Sequence, residues 1–228
     1  MPPTFTDRGV QRRIINFSGF RLDGLADILP RASGASVFDV GCNRGAVCHD
    51  LVLAGANLVH GCDNYAQGMQ TANEWFADIR SVKSKFEVVD LTGGGAAIEK
   101  AFGADLLPQY DIMIFLAIYH KLWRVMDKNE LRNLVVWLID HTGKFFVWRG
   151  SLEERNELHP LMESKGFKLV HYSEICEVEL PEYKNPVPQP AAIWSRGERF
   201  DYEAARTFRM IGFPIALWHV FDLFSSMV

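Results

Sequence analysis

Residues 37 to 45 read VFDVGCNRG, and this stretch decides the fold. It begins as an apolar strand, passes through Asp39, and turns at Gly41 and Gly45 before a run with helical periodicity. In an open α/β sheet, ligands bind outside the carboxyl ends of the strands, and glycines at such a turn let a ligand approach the backbone closely. The stretch therefore predicts a strand, a turn and a helix with a ligand at the turn. A tight turn without a ligand is the alternative interpretation.

Short apolar runs alternate with longer helical stretches along the rest of the chain, which is typical of repeated βαβ units. Seven runs are predicted as strands of one open sheet, at 36–40, 57–62, 85–89, 110–115, 144–148, 168–172 and 191–194. Helices on both faces of this sheet are predicted at 46–54, 67–79, 129–140 and 152–165. Left-handed helix stops are predicted where a glycine follows a helix, at Gly55, Gly143 and Gly166.

The composition predicts a single globular domain over residues 1–228. Hydrophobic residues make up 48% of the 228 residues and charged residues 23%, which is ordinary for a chain that buries one core. We expect the core at about 30–196, after an N-terminal helical segment at 1–29 and before an apolar C-terminal helix at 200–228. Four prolines within 180–190 predict an extended connection before the last strand.

The charge of the chain disfavours a nucleic-acid partner without excluding one. The formal net charge is -4, so the chain has no global basic field of the kind that non-specific nucleic-acid binding uses. A local basic patch is the exception, and its candidate residues are Arg12, Arg13 and Arg21. A solvated helix face is the alternative interpretation of these arginines. A small-molecule partner is therefore favoured over RNA.

Neither a metal centre nor a disulfide framework is predicted. The cysteines at 42, 48, 62 and 176 form no CxxC pair and no zinc-type spacing with histidine, which favours a reducing, cytoplasmic setting. The N-terminus lacks the apolar stretch of a secretory signal. The apolar run 211–228 is interrupted by Pro214, His219 and Asp222, so we expect a packing helix there and no stable membrane insertion. This helix is a candidate surface for a homodimer.

The first turn does not fit a dinucleotide-binding site, because Gly41 and Gly45 lie four residues apart and no GxGxxG pattern is present. The pattern DxGxxxG, from Asp39 to Gly45, instead resembles the first motif of class I S-adenosylmethionine-dependent methyltransferases. The resemblance continues where the second strand ends in Asp63, the third in Asp90, and the fourth reads YDIMIFLAIYHKL over 110–122. It implies a Rossmann-like, seven-stranded, mostly parallel sheet with helices on both faces and an antiparallel last strand.

The resemblance also implies a cofactor, S-adenosyl-L-methionine, with S-adenosyl-L-homocysteine as its product. It places the turn around the methionine part of the cofactor, through Asp39, Gly41, Cys42, Asn43 and Gly45. It places Asp63 and Asn64 at the ribose, Asp90 and Leu91 at the adenine, and Phe115 and Leu116 under the sulfonium. An ordinary strand-end or helix-capping role is the alternative for Asp63 and for Asp90.

The residues after the fourth strand are the predicted catalytic pair, Tyr119 and His120. They resemble a YH-containing motif of small-molecule methyltransferases and of some that modify tRNA. A histidine there is a candidate general base on a hydroxyl, because its ordinary pKa lies near neutrality. A packing role is the alternative.

The predicted reaction is methyl transfer to oxygen or nitrogen of a small or medium-sized acceptor. The alternatives are an RNA-modifying methyltransferase and a non-catalytic S-adenosylmethionine-binding subunit. Four aromatic residues either line a flat acceptor pocket or belong to the core: Trp123, Trp148, Tyr183 and Trp194.

Overall fold

A computed structural model describes Leu22 and residues 24–178 and 187–197, without the side chains of 174–178 and 187–188. Its strands are β1 (Ser36–Val40), β2 (Leu58–Asp63), β3 (Lys83–Val88), β4 (Tyr110–Leu116), β5 (Thr142–Arg149), β6 (Lys168–Val178) and β7 (Val187–Ser195). They form one sheet in the order β3-β2-β1-β4-β5-β7-β6. The first five strands are parallel, and β7 runs antiparallel to β5 and β6. The Rossmann-like fold with an antiparallel last strand is therefore confirmed.

Helices cover both faces of the sheet, as predicted. They are α1 (Ala46–Leu53), α2 (Ala66–Ala77), α3 (Gly94–Phe102), α4 (Tyr119–Trp123), α5 (Lys128–Asp140) and α6 (Leu152–Ser164). The apolar side chains of α1 and α2 belong to one core layer, together with those of a 3-10 helix, Ala26–Arg31. The other layer receives α3, α4, α5 and α6.

The sequence did not predict α3 and α4. Glycines at 93, 94 and 95 open α3, and this composition disfavours a helix unless tertiary packing compensates. The compensation is visible in the buried residues Ile98 and Phe102. The other missed helix, α4, has five residues, which is too short to show a helical period.

The amino-terminal edge of the sheet is held by side-chain hydrogen bonds between β1 and β4. Oδ2 of Asp111 accepts from the amide and the hydroxyl of Ser36 at 2.8 and 2.9 Å. The ammonium of Lys144, on β5, lies 3.1 Å from Oδ1 of the same carboxylate. These contacts connect the three central strands at the edge opposite the predicted ligand site.

The predicted left-handed stops are confirmed at Gly55 and Gly166, where φ is 103° and 82°, and the third is wrong. Gly143 lies inside β5, and α5 ends at His141 with φ of -85°. A Cβ on Gly143 would approach the carbonyl oxygen of Tyr110 to 3.2 Å. Close strand packing, and not a turn, accounts for this glycine.

The proline-rich stretch was predicted as a connection, but its last residues, 187–190, belong to β7. The carbonyl of Pro190 accepts from the amide of Gly150 at 3.2 Å, just after β5 ends. The backbone nitrogens of the prolines at 188 and 190 therefore lie on the side of β7 beyond the last residue pair with β5. A missing N–H costs little at these positions, because no strand carbonyl is left there to accept from it. The N-terminal arginines and the predicted C-terminal helix lie outside the described residues, as does Tyr183.

Candidate functional site

The turn after β1 contains positive φ angles at alternate positions. The values are 82° at Gly41, 56° at Asn43 and 75° at Gly45. Asparagine is one of the few residues with a side chain that tolerates this region, so Asn43 is compatible with its place between the two glycines. Gly45 is also the N-cap of α1. Three of the predicted cofactor-binding residues thus define one tight backbone turn.

Hydrogen bonds hold this turn against the end of β2. The amides of Gly41 and Cys42 donate to the carbonyl oxygen of Cys62 at 2.7 and 3.1 Å. The amide of Asn43 donates to Oδ2 of Asp63 at 2.9 Å. The structure therefore brings together the turn and Asp63, two separate parts of the predicted site.

The half-buried carboxylate of Asp63 retains hydrogen-bonding capacity. Its Oδ2 accepts from Asn43, and its Oδ1 accepts from the amide of Tyr65 at 3.0 Å. An ionised carboxylate has about four acceptor positions, so about two are left for the hydroxyls of a ribose. Asn64, the next residue in the sequence, is exposed. Both residues fit their predicted place beside a nucleoside, and that role stays a prediction.

Beneath the turn, two predicted site residues are buried in the protein. Asp39 is 3% exposed, and its Oδ2 lies 3.7 Å from the Sγ of Cys48. The Sγ of Cys42 lies 3.8 Å from the Sδ of Met69, on α2. Burial raises the pKa of the Cys42 and Cys48 thiols well above the ordinary value. These side chains support the turn from inside, and the structure does not bring them to its outer surface.

A residue that the sequence analysis missed covers Gly41. Any side chain at Gly41 would overlap Cδ1 of Ile118, which follows Ala117 at the end of β4. Ala117 has a φ of 55° and donates its amide to the carbonyl of Arg149 at 2.8 Å. This backbone turn directs Ile118 over the glycine. Ile118 therefore contacts the turn and directly precedes the predicted catalytic pair in the sequence.

At the end of β3, Asp90 caps a short 3-10 helix, Leu91–Gly93. Its Oδ1 accepts from the amide and the hydroxyl of Thr92 at 3.0 and 2.8 Å, and these hydrogen bonds lower the pKa of Asp90. The side chain of Leu91 is buried in the core. The capping role left open for Asp90 is therefore present, and contact of either residue with an adenine stays a prediction.

The two residues predicted under the sulfonium point to different faces of the sheet. Phe115 is fully buried in the layer of α3 to α6, where its ring lies 6.4 Å from that of Phe146. Leu116 is half-buried and packs against the opposite layer. The two side chains therefore do not form one floor, and contact of either with a sulfonium stays a prediction.

Tyr119 is bound to α6. Its hydroxyl donates to Oε2 of Glu157 at 2.6 Å, and its ring stacks on Trp123 at 6.0 Å. Burial raises the pKa of Tyr119, and the neighbouring carboxylate of Glu157 adds to the shift. This hydroxyl is thereby held protonated and engaged, which makes Tyr119 a poor proton acceptor.

His120 is also directed towards α6. Its Nδ1 lies 3.8 Å from Oε1 of Glu154, and its side chain is 34% exposed. Burial lowers the pKa of His120 below 6.5, and Lys121 and Arg124 add to this effect. The imidazole is therefore neutral at neutral pH, which is the form that a general base requires.

Glu154 was not predicted by the sequence analysis. Its position three residues after Ser151 fits the capping pattern SxxE, and the Ser151 hydroxyl does accept from the Glu154 amide at 3.3 Å. The carboxylate, however, lies against Gly150 and beside His120. Burial raises its pKa from 4.5 to about 7. The capping pattern therefore offers a purely local explanation for Glu154, although its side chain lies beside the predicted site residue His120.

For two of the four aromatic residues, the structure supports the core alternative and not the acceptor pocket. Trp148 and Trp194 are fully buried, with ring centroids 6.1 Å apart, and belong to the core. Trp123 is 38% exposed, and the ammonium of Lys128 lies 4.5 Å from its ring centroid. A groove of about 570 Å³ is lined by Trp123 and Tyr119, between α5 and α6.

Two further findings concern the described residues alone. They contain no group of three or more His, Cys, Asp or Glu side chains arranged to hold a metal ion. None of the helices among them has the length and apolar character needed to cross a membrane.

Comparisons with known proteins give structural neighbours only. No protein-family model matches the sequence, and no curated protein matches it. Magnesium protoporphyrin IX methyltransferase from Synechocystis PCC 6803, solved with bound S-adenosylmethionine, matches with a TM-score of 0.57 and 16% identity, over 86% of this chain and 87% of that one. Its form with bound S-adenosylhomocysteine gives 0.54 and 16%, over 86% and 90%. A candidate RNA methyltransferase from Pyrococcus horikoshii gives 0.54 and 15%, over 78% and 81%.

The likeness covers most of each chain, and it agrees with the strand order described above. It shows that this chain has the fold of class I S-adenosylmethionine-dependent methyltransferases.

Proposed function

We propose that this protein binds S-adenosylmethionine at the turn after β1 and transfers its methyl group to a small or medium-sized acceptor. The observation that carries the proposal is the hydrogen bond between the turn and Asp63. An amide of the turn donates to this carboxylate at 2.9 Å, at the carboxyl edge of two adjacent parallel strands. In α/β folds a carboxylate at that place accepts from the hydroxyls of a ribose.

The residues present fit this cofactor, with one condition. The left-handed turn and the remaining acceptor positions of Asp63 suit a nucleoside joined to an amino acid. Ile118 fills the space on the Cβ side of Gly41, so a ligand that approaches the glycine from that side must displace the isoleucine side chain. When bound, the cofactor supplies an electrophilic methyl group, and the chain supplies orientation and a proton acceptor.

His120 is the proton acceptor in this proposal. It follows β4 by four residues, on the same edge of the sheet as the turn, and it is partly exposed. Its lowered pKa keeps the ring neutral above about pH 6.5. Alignment of the acceptor with the methyl group supplies much of the remaining rate.

The size of the acceptor is proposed from charge and shape. The net charge of -4 disfavours RNA, and a groove of about 570 Å³, a volume within the range of small-molecule sites, lies beside Tyr119, although neither His120 nor a residue of the turn lines it. The structural neighbours include a magnesium protoporphyrin IX methyltransferase and a candidate RNA methyltransferase, so they do not choose between these classes.

Calorimetric titration with S-adenosylhomocysteine tests the cofactor site. Asp63→Ala should weaken binding by about 1 to 3 kcal/mol, because it removes a charged acceptor from the ribose hydroxyls. Asp140→Ala is the matched control, since this exposed aspartate pairs with Lys165 at 2.7 Å, at the end of α5. The control should bind like the wild type. Equal affinity of the folded Asp63 variant would remove Asp63 from the site.

Turnover tests the reaction itself. Formation of S-adenosylhomocysteine is measured with a mixture of small hydroxyl and amine acceptors and, separately, with bulk tRNA. Turnover with the small acceptors supports the proposal, and turnover with tRNA alone favours the RNA-modifying alternative. Cofactor binding without turnover in either assay favours a non-catalytic subunit.

A further inference from the structure

The carboxyl group of Glu154 lies in a small notch at the carboxyl end of β5. Its residue is 6% exposed, near the N-terminus of α6. Oε2 occupies the space that a side chain at Gly150 would take, and the ring of Trp148 bounds the same space, with Cζ2 at 2.6 Å from that Cβ position. Only a glycine at 150 leaves room for the carboxyl group. The backbone and the aromatic ring thus shape a place for one acidic side chain.

One oxygen atom of this carboxyl group is buried without a partner. Oε2 has no hydrogen-bond partner among the described residues. Burying a polar atom in this way costs free energy, and burying it as an anion costs more. Glu157, one turn further along α6, differs in this respect, because its carboxylate accepts a hydrogen bond from Tyr119 at 2.6 Å. Helix packing alone therefore does not explain Glu154.

The imidazole of His120 lies beside this carboxyl group. Nδ1 of the ring lies 3.8 Å from Oε1 of Glu154, which one side-chain adjustment or one bridging water can span. The other ring nitrogen, Nε2, is then the one available to an acceptor. A carboxylate behind a histidine fixes the orientation and tautomer of the ring, as in other acid-base sites.

We propose that Glu154 is the positioning residue of His120 and takes up the proton that His120 removes from the methyl acceptor, an inference that rests on the proposed methyl transfer. The proton on the attacking oxygen or nitrogen passes to Nε2, and the proton on Nδ1 passes to Oε1 of Glu154. The acceptor atom forms its bond to the methyl carbon as the bond from that carbon to sulfur breaks and leaves its electron pair on sulfur.

The charges around the pair agree with this direction of transfer. Burial, followed by Lys121 and Arg124, lowers the pKa of His120 below 6.5. Burial raises the pKa of Glu154 to about 7, with Glu153 and Glu157 contributing and the Ser151 contact opposing. At neutral pH a proton added to the pair therefore resides on the carboxyl group, and the ring returns to its neutral form.

Histidine ring resonances of the full-length chain, followed by NMR from pH 4.5 to 9, test the pairing without any acceptor. In the wild type, the His120 signals should show one step below pH 6.5 and a second step near pH 7, caused by ionisation of Glu154. Glu154→Gln should abolish the second step. The matched control is Glu163→Gln, because Glu163 lies 3.5 Å from His159 on the same helix and is 62% exposed. This control should leave both His120 steps unchanged.

A single His120 step that is the same in the wild type and in folded Glu154→Gln would overturn the proposal. If the glutamine variant does not fold, Glu154→Ala replaces it, and a second step that persists in that variant has the same meaning. Once an acceptor is found, Glu154→Gln should lower kcat at least ten-fold and leave KM unchanged. The loss should not exceed the whole contribution of a general base, which is about 10²- to 10⁴-fold. An unchanged kcat would also overturn it. Failure of the proposed function shows separately, as absence of S-adenosylhomocysteine binding to the wild type.

Discussion

Replacing Glu154 by glutamine should stabilise this protein at alkaline pH, although the substitution is made in its interior. Glu154 is 6% exposed, and its Oε2 has no hydrogen-bond partner among the described residues. Its ionised form is therefore disfavoured in the folded state, and burial raises its pKa from 4.5 to about 7. Glutamine has nearly the same shape and does not ionise.

The sign and the size of the effect follow from linkage. Below pH 4.5 the carboxyl group is protonated in both the folded and the unfolded chain, and no penalty arises. As the pH rises through 7, the folded state must give up a proton that the unfolded state has already lost. Each pKa unit corresponds to about 1.4 kcal/mol, so the wild type should lose about 2 to 3 kcal/mol of stability between these limits. The glutamine variant should lose none of it.

Urea denaturation at pH 5 and pH 8 measures this difference. The variant should match the wild type within about 1 kcal/mol at pH 5 and exceed it by about 2 to 3 kcal/mol at pH 8. The wild type and the variant must be compared at each pH, because His60 makes the stability of both rise with pH. Burial lowers the pKa of His60 to about 4, which is the opposite direction to the shift of Glu154. Glu163→Gln, at an exposed site, should show no pH-dependent difference. A variant less stable than the wild type at pH 8 would mean that Glu154 forms a stable ion pair with protonated His120, contrary to this reasoning.

At the turn, Gly41→Ala combines a positive φ with overlap on Ile118, so thermal denaturation should show a loss of about 1 to 3 kcal/mol, and calorimetry a loss of S-adenosylhomocysteine binding. Adding Ile118→Ala should restore part of the stability, and no restoration would assign the whole effect to the backbone. His120→Ala should lower turnover about 10²- to 10⁴-fold and remove the ascending limb of the pH profile below pH 6.5, with cofactor affinity unchanged; a variant that keeps both the rate and the limb would leave His120 a structural role. At the opposite edge of the sheet, Asp111→Ala should cost about 1 to 3 kcal/mol, because it removes the acceptor of two hydrogen bonds from Ser36. Partial burial acts to raise the pKa of Asp111, but these hydrogen bonds bring it below its ordinary value of 3.8. The loss in urea denaturation should therefore be present from pH 5 to 8 and shrink as the pH falls below 3.8, and a constant difference would contradict this account.

The sheet was predictable because its central strands, β1, β2, β4 and β5, are buried and rich in apolar residues. The first strand, Ser36–Val40, was predicted at its exact bounds, and the others within a few residues except at the ends of β6 and β7. Those two strands extend further because they pair with each other as a long antiparallel hairpin. Prolines at 188 and 190 concealed this extension, since their tolerance depends on which neighbour is present, and that is a tertiary property.

The candidate site was predictable at its backbone and less so at its side chains. Glycine spacing and the strand-end aspartate located the hydrogen-bonded contact between the turn and Asp63, because the turn and the strand end both depend on local sequence. The direction of a side chain beyond a strand depends on tertiary packing. Thus Phe115 faced the core, and Ile118, which no pattern distinguished, covered the turn.

Ile118 connects the turn to the residues predicted to be catalytic. Its side chain lies on the Cβ side of Gly41, and the next residue begins α4. In α4, the Tyr119 hydroxyl donates to Glu157, and the His120 ring lies 3.8 Å from the carboxyl group of Glu154. If the cofactor binds at the turn from the side of Ile118, it must move this side chain, and we expect the displacement to shift His120 two residues later. Because linkage is reciprocal, an acceptor that fixes His120 would then change the affinity of the turn for its ligand. We therefore expect cofactor binding and the placement of the proposed proton acceptor to be coupled through one short segment, 117–120, which connects the two parts of the site that the sequence indicated separately.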